Sequence, residues 1–96
     1  KVNYYIQGES FLTKNNKTTK MIQNVIQKIT KIKPKISTTG GTSDARFIRK
    51  ISPCVEFGLV GAKKKGGMHK VDESVPLTDL KKLSIIYQEI LINYFK

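Results

Sequence analysis

Cysteine is nearly absent from this chain. Cys54 stands alone, so no disulfide can close within it, and a lone thiol fits a reducing compartment, which makes the cytoplasm the expected location. Cys54 follows Pro53 and precedes Val55, and reads as a packed, inert thiol at the entry to a strand. Tryptophan is missing, and the four Phe and four Tyr are not interleaved with the lysines as a base-stacking surface requires. There is one histidine, His69, with Asp72 and Glu73 close behind it. A zinc site draws on three or four ligands, and no His-x-x-x-His or Cys-x-x-Cys spacing is present, so spacing alone gives no self-contained metal site. Nor does any pattern tie His69 to Ser43 as a nucleophilic triad. No apolar run is long enough to cross a bilayer and no secretory pattern opens the chain, so no membrane partner is expected. The first residue is Lys1 rather than Met, which reads as an excerpt of something longer.

Positive charge is abundant. Eighteen Lys+Arg against seven Asp+Glu give a formal net charge of +11 over 96 residues. Such an excess raises nucleic acid or an anionic surface as a partner. Yet Arg occurs only at Arg46 and Arg49, and the lysines are spread over 14–35, 63–65 and 81–82. Solvated lysine faces explain most of this, so nucleic acid is not the expected partner, although a small basic nucleic-acid-binding module remains the alternative from a different class. Steep salt-dependent binding to duplex or single-stranded DNA would mark that module.

The length suits one small domain, and 39% hydrophobic residues allow a modest core. Residues 2–6, 35–39 and 55–60 are rich in β-branched and aromatic side chains and read as strands. Met21, Ile22, Val25, Ile26, Ile29 and Ile32 recur at helical spacing, which predicts an amphipathic helix over 17–32 that stops before Pro34. A brief helix is expected over 43–51 with Phe47, Ile48 and Ile51 buried, broken by Pro53. A last helix begins near Thr78-Asp79 and runs to the end, with a buried stripe of Leu80, Leu83, Ile86, Tyr87, Ile90 and Tyr94. Residues 61–67 read as a charged loop around Lys63-Lys64-Lys65. Strands alternating with helices favour an α/β fold of parallel strands covered by helices.

The stretch Thr38-Thr39-Gly40-Gly41-Thr42-Ser43-Asp44-Ala45-Arg46-Phe47-Ile48 is the densest in possible chemistry. Adjacent glycines allow unusual backbone and close approach of a ligand. Thr42, Ser43 and Asp44 are each suitable helix caps, and a helix start with Arg46 nearby favours a carboxylate or phosphate. An ordinary strand–turn–helix connection accounts for the same pattern.

That stretch, followed by Val55-Glu56-Phe57-Gly58 and Met68-His69-Lys70-Val71-Asp72-Glu73, closely resembles the succinyl-diaminopimelate desuccinylase family, two-zinc amidohydrolases of lysine and diaminopimelate synthesis. Phe11-Leu12-Thr13 and the Asp79-Leu80 helix also match. The resemblance runs through essentially the whole chain but only the C-terminal part of the family's enzyme. It implies the C-terminal portion of a zinc-aminopeptidase-like catalytic domain, with residues 1–13 as the last strand of the dimerisation (lid) domain plus a return linker, and 14–96 as catalytic domain. It implies that His69 is a zinc ligand, that Gly41 and Thr42 contact substrate, and that Arg46 binds a substrate carboxylate. No catalytic residue of the family falls in this chain. Its remaining zinc ligands, bridging aspartate and glutamate base lie elsewhere in the family's enzyme, so the chain by itself is expected to be inactive and to bind zinc weakly. The resemblance further implies two zinc ions per subunit with cobalt as a substitute, a homodimer, and hydrolysis of N-succinyl-LL-2,6-diaminopimelate to succinate and LL-2,6-diaminopimelate. A related zinc deacylase or dipeptidase with another acyl substrate is the neighbouring alternative. One departure stands out: where the family has an Asn-Ala-Thr type segment before the histidine, this chain has Gly61-Ala62-Lys63-Lys64-Lys65-Gly66-Gly67.

Overall fold

Helix α1, Lys17–Thr30, forms on the strength of its two ends as much as its apolar stripe. At its start the Asn16 side chain accepts from the Thr19 backbone N–H at 3.0 Å, and the Asn16 N–H donates to Thr19 Oγ1 at 2.8 Å. These reciprocal bonds satisfy donors that a helix start otherwise leaves open. Thr19 is buried as a result, and its hydroxyl is also within bonding distance of Asn15 Oδ1 and the Asn16 carbonyl. At the other end Lys31 turns into left-handed backbone at φ 63°, and its N–H reaches the Gln27 carbonyl at 2.9 Å. The helix therefore closes short of Ile32, before the residues that Pro34 would exclude. The expected stripe is otherwise in place: Val25 and Ile26 are buried, with Met21, Ile22 and Ile29 packed beside them.

This computed structural model describes residues 1–39, 41, 43–59 and 67–96. Gly40 and Thr42, and most of the charged loop expected over 61–67, lie outside the described residues. Two further helices complete the regular structure: α2, Ala45–Ile48, and α3, Leu77–Tyr94. The core lies between α1 and α3, where Ile86 meets Val25 and Ile26, and Ile90 and Phe57 close the edges. Tyr87 ties the 55–59 segment to α3, its hydroxyl donating to the Phe57 carbonyl at 2.5 Å and its ring meeting Phe57 edge-on at 6.2 Å.

Three expectations are corrected here. The segments 2–6, 35–39 and 55–59 form no strand among the described residues. A strand needs a neighbour to take up its backbone N–H and C=O groups, and none of the three has one among the described residues. Val2, Tyr4, Tyr5 and Ile6 accordingly stay exposed. The helix expected over 43–51 is a single turn, continued by tighter i→i−3 bonds from Lys50 and Ile51. Phe47, Ile48 and Ile51, expected to be buried, are exposed, because no layer among the described residues lies against that face. On α3, Leu80, Tyr87 and Tyr94 of the expected stripe are exposed as well. With so small a buried centre the radius of gyration is 15.9 Å, above the roughly 13 Å of a compact domain of this length.

Candidate functional site

The glycine-rich stretch and α2 form the site's framework. Asp44 has helical backbone (φ −65°, ψ −11°) and its side chain makes no cap. The capping role falls to Ser43, whose Oγ accepts from the Ala45 N–H at 3.1 Å. The same hydroxyl donates to the Glu56 carboxylate. A hydroxyl has one proton and two lone pairs, so giving the proton to Glu56 turns a lone pair toward Ala45. Phe47 and Ile48 then bond back to the Asp44 carbonyl at 2.9 and 3.1 Å, and Arg49 to Ala45 at 2.9 Å. One turn carries little helix dipole, so any charge at this site comes from side chains rather than from α2 itself.

Arg46 and Arg49 are three residues apart and project on one side of that turn. The Arg46 guanidinium carbon lies 4.8 Å from the Phe47 ring centroid, a cation–π contact. Its stem runs against the Gly8 backbone, where a Cβ would come within 2.6 Å of Arg46 Cδ and 3.0 Å of Nε. Beside it, Arg49 Nη2 meets Glu9 Oε2 at 3.1 Å. Residues 8 and 9 thus hold both arginines of the chain.

Of the expected site residues, Arg46 is half-buried in this framework and Gly41 is exposed on the loop before it. Space beside Gly41 is open, with nothing within 4 Å of where a Cβ would stand, and its backbone is not left-handed. Thr42 lies outside the described residues. His69 is exposed in the turn closed by Lys70 N–H to the Gly67 carbonyl at 3.1 Å, and takes left-handed backbone at φ 60°. That region is uncommon for a residue with a Cβ, and such outliers gather at functional positions. Among the described residues no three His, Cys, Asp or Glu side chains come together to hold a metal ion. A single imidazole does not fit a metal centre, so this chain's own donors do not make one. Cys54 is half-buried, with its carbonyl accepting from the Thr13 hydroxyl.

Sequence reasoning missed Gly8, Glu9 and Glu56. The i,i+3 pair of arginines in a chain otherwise basic through lysine is the signal that could have prompted a search for an acid beside α2. Gly8 carries no such signal.

Residues 1–93 match the model of the peptidase family M20/M25/M40. The chain belongs to peptidase family M20/M25/M40. Among curated proteins, it is 72% identical over 95 residues to the succinyl-diaminopimelate desuccinylase of Pelagibacter ubique, covering 99% of this chain and 24% of that protein. It is 47% identical to the desuccinylase of Maricaulis maris, over 96% of this chain and 23% of that one. The desuccinylase of Caulobacter sp. is 50% identical over 94% of this chain and 22% of its own length. This member of the M20/M25/M40 family therefore spans about a quarter of the length of the curated relatives it matches. No solved structure matches it. Among the described residues no helix is long and apolar enough to cross a membrane.

Proposed function

We propose that these residues form the C-terminal part of the catalytic domain of a succinyl-diaminopimelate desuccinylase. The observation that carries this reading is the 72% identity over 95 residues to a protein of that name. The reaction is hydrolysis of N-succinyl-LL-2,6-diaminopimelate to succinate and LL-2,6-diaminopimelate. Within it, Arg46 offers a forked guanidinium to a substrate carboxylate, and Gly41 and Thr42 are substrate contacts. His69 supplies one metal ligand; zinc, with cobalt as a substitute, acts as Lewis acid when the rest of the shell comes from other parts of the enzyme. One imidazole is a small share of a tetrahedral shell, so the 96 residues alone are inactive and bind zinc weakly.

The same reading covers the architecture. Residues 1–13 are the last strand of a dimerisation domain and its return linker, and 14–96 belong to an α/β catalytic domain that assembles as a homodimer in the cytoplasm. In support, α3 leaves Leu77, Leu80, Ile85, Leu91, Ile92 and Tyr94 exposed, more apolar side chain than a self-sufficient helix presents. Among the described residues the three β-rich segments pair with no strand, and neighbouring strands would take up their backbone groups.

A graft tests the proposal. The matching quarter of the Pelagibacter ubique desuccinylase is replaced by this chain, and succinate release from N-succinyl-LL-2,6-diaminopimelate is measured. Activity near that of the host supports the reading, and loss of activity in a folded, dimeric graft refutes it. Substrates with other acyl groups, run in parallel, separate a desuccinylase from a related zinc deacylase or dipeptidase.

A further inference from the structure

We propose that Glu56 is a positioning residue for the substrate loop, acting through the Ser43 hydroxyl; this deepens the reading above and rests on it for its kinetic consequence. Glu56 lies thirteen residues from Ser43 and accepts its proton, while Ser43 Oγ accepts from the Ala45 N–H at 3.1 Å. The Ser43 carbonyl also takes the Arg46 N–H, at 3.4 Å. Ser43 therefore holds the opening of α2 at two points, one through its side chain and one through its backbone. A free serine hydroxyl rotates among three staggered positions, and only some present a lone pair to Ala45. An acceptor fixed at Glu56 selects among them. The carboxylate is anchored from the other side, because its neighbour Phe57 is held to α3 by the Tyr87 hydroxyl bond to the Phe57 carbonyl at 2.5 Å. The chain of contacts runs from α3 through Tyr87, Phe57, Glu56 and Ser43 to the residue just before Arg46.

The alternative for Glu56 is a surface acid facing a lysine. Among the described residues the ion pair joins Glu9 to Arg49, and Glu56 Oε1 accepts from a neutral hydroxyl. Its value is then in an acceptor at a fixed place more than in charge. That distinction gives the test its form, since glutamine keeps the acceptor and loses the charge.

Amide hydrogen exchange at Ala45 and Arg46 is followed by NMR in the 96-residue chain, for the parent, E56Q, E56A, S43A and the E56A/S43A double variant. E56A and S43A should each speed exchange at Ala45 by about five-fold, the scale of one ordinary hydrogen bond. The double variant should be no faster than either single one, because both remove the same linkage, and E56Q should remain close to the parent. Exchange at Ala45 indifferent to E56A, or effects that add in the double variant, overturns the proposal. In the grafted enzyme E56A should raise KM with kcat held, and E56Q should restore KM. A graft inactive with the parent sequence defeats the desuccinylase reading by itself, while the exchange data still decide the role of Glu56.

Discussion

Gly8→Ala probes whether the N-terminal segment sets the position of Arg46. A Cβ at residue 8 would stand 2.6 Å from Arg46 Cδ, 3.0 Å from Nε and 3.3 Å from Cγ. Carbon atoms in ordinary contact sit about 3.5–4.0 Å apart, so roughly 1 Å of space must be opened. Cδ is mid-stem and not a free tip, so the whole Arg46 side chain has to swing, or the backbone at residue 8 has to withdraw. Withdrawal pulls against the 3.1 Å Glu9–Arg49 pair one residue on. Overpacking costs about 1–3 kcal/mol, and a half-buried arginine able to yield places this case at the lower end, about 1 kcal/mol. For a chain of this size that is a fall of about 5 °C in Tm, read by circular dichroism. The control is the same substitution in an R46A background, where every atom it would strike is gone. There Gly→Ala should be neutral or stabilising by up to about 1 kcal/mol, through the lower entropy of the unfolded chain. A sign that changes between the two backgrounds supports the contact. Equal shifts in both would refute the idea that Arg46 is seated against Gly8.

Two further substitutions follow from backbone geometry. Asn16→Ala removes the acceptor for the Thr19 N–H and should destabilise by about 1 kcal/mol, read from urea unfolding; an unchanged midpoint would deny the cap its role. His69→Gly relieves left-handed backbone at φ 60°, so Tm should rise by the equivalent of about 1 kcal/mol in the 96-residue chain. In the grafted enzyme the same change should lower metal occupancy, measured by elemental analysis. Stability gained and metal lost together mark a residue kept for ligation; loss of neither leaves His69 an ordinary turn residue.

The helices were legible because their information is local. Five apolar residues at helical spacing lie within α1 itself, the cap-forming Asn16 adjoins it, and only the left-handed turn at Lys31 shortens the expected span. The 55–59 segment reads as a strand for equally local reasons, its β-branched and aromatic content, but a strand is completed by a partner that local sequence does not supply. For this chain, matching about a quarter of its relatives' length, the same residues are held by Tyr87 and Ser43 instead. The site divides along the same line. Arg46, Gly41 and His69 belong to contiguous motifs and could be named from sequence. Gly8 and Glu56 act across 38 and 13 residues, and their parts exist only once α2 is folded.

This division bears on how the site is held together. In the Gly-Gly-Thr-Ser-Asp loop the cap is Ser43 and not Asp44, which makes no side-chain bond to the turn it opens, and α2 is too short to be stable unaided. Its geometry must come from outside, and the described contacts supply it from two directions. Glu56 grips the entrance through Ser43, while Gly8 and Glu9 press on the arginines that leave the turn. The two supports come from parts of the chain on opposite sides of α2 in sequence and act on different atoms, Glu56 on the Ser43 hydroxyl and Gly8 on the Arg46 side chain. Gly8→Ala should therefore disturb Arg46 without altering exchange at Ala45, and Glu56→Ala should do the reverse. If either substitution moved both readouts equally, the turn would be one cooperative unit and the assignment of separate supports would fail.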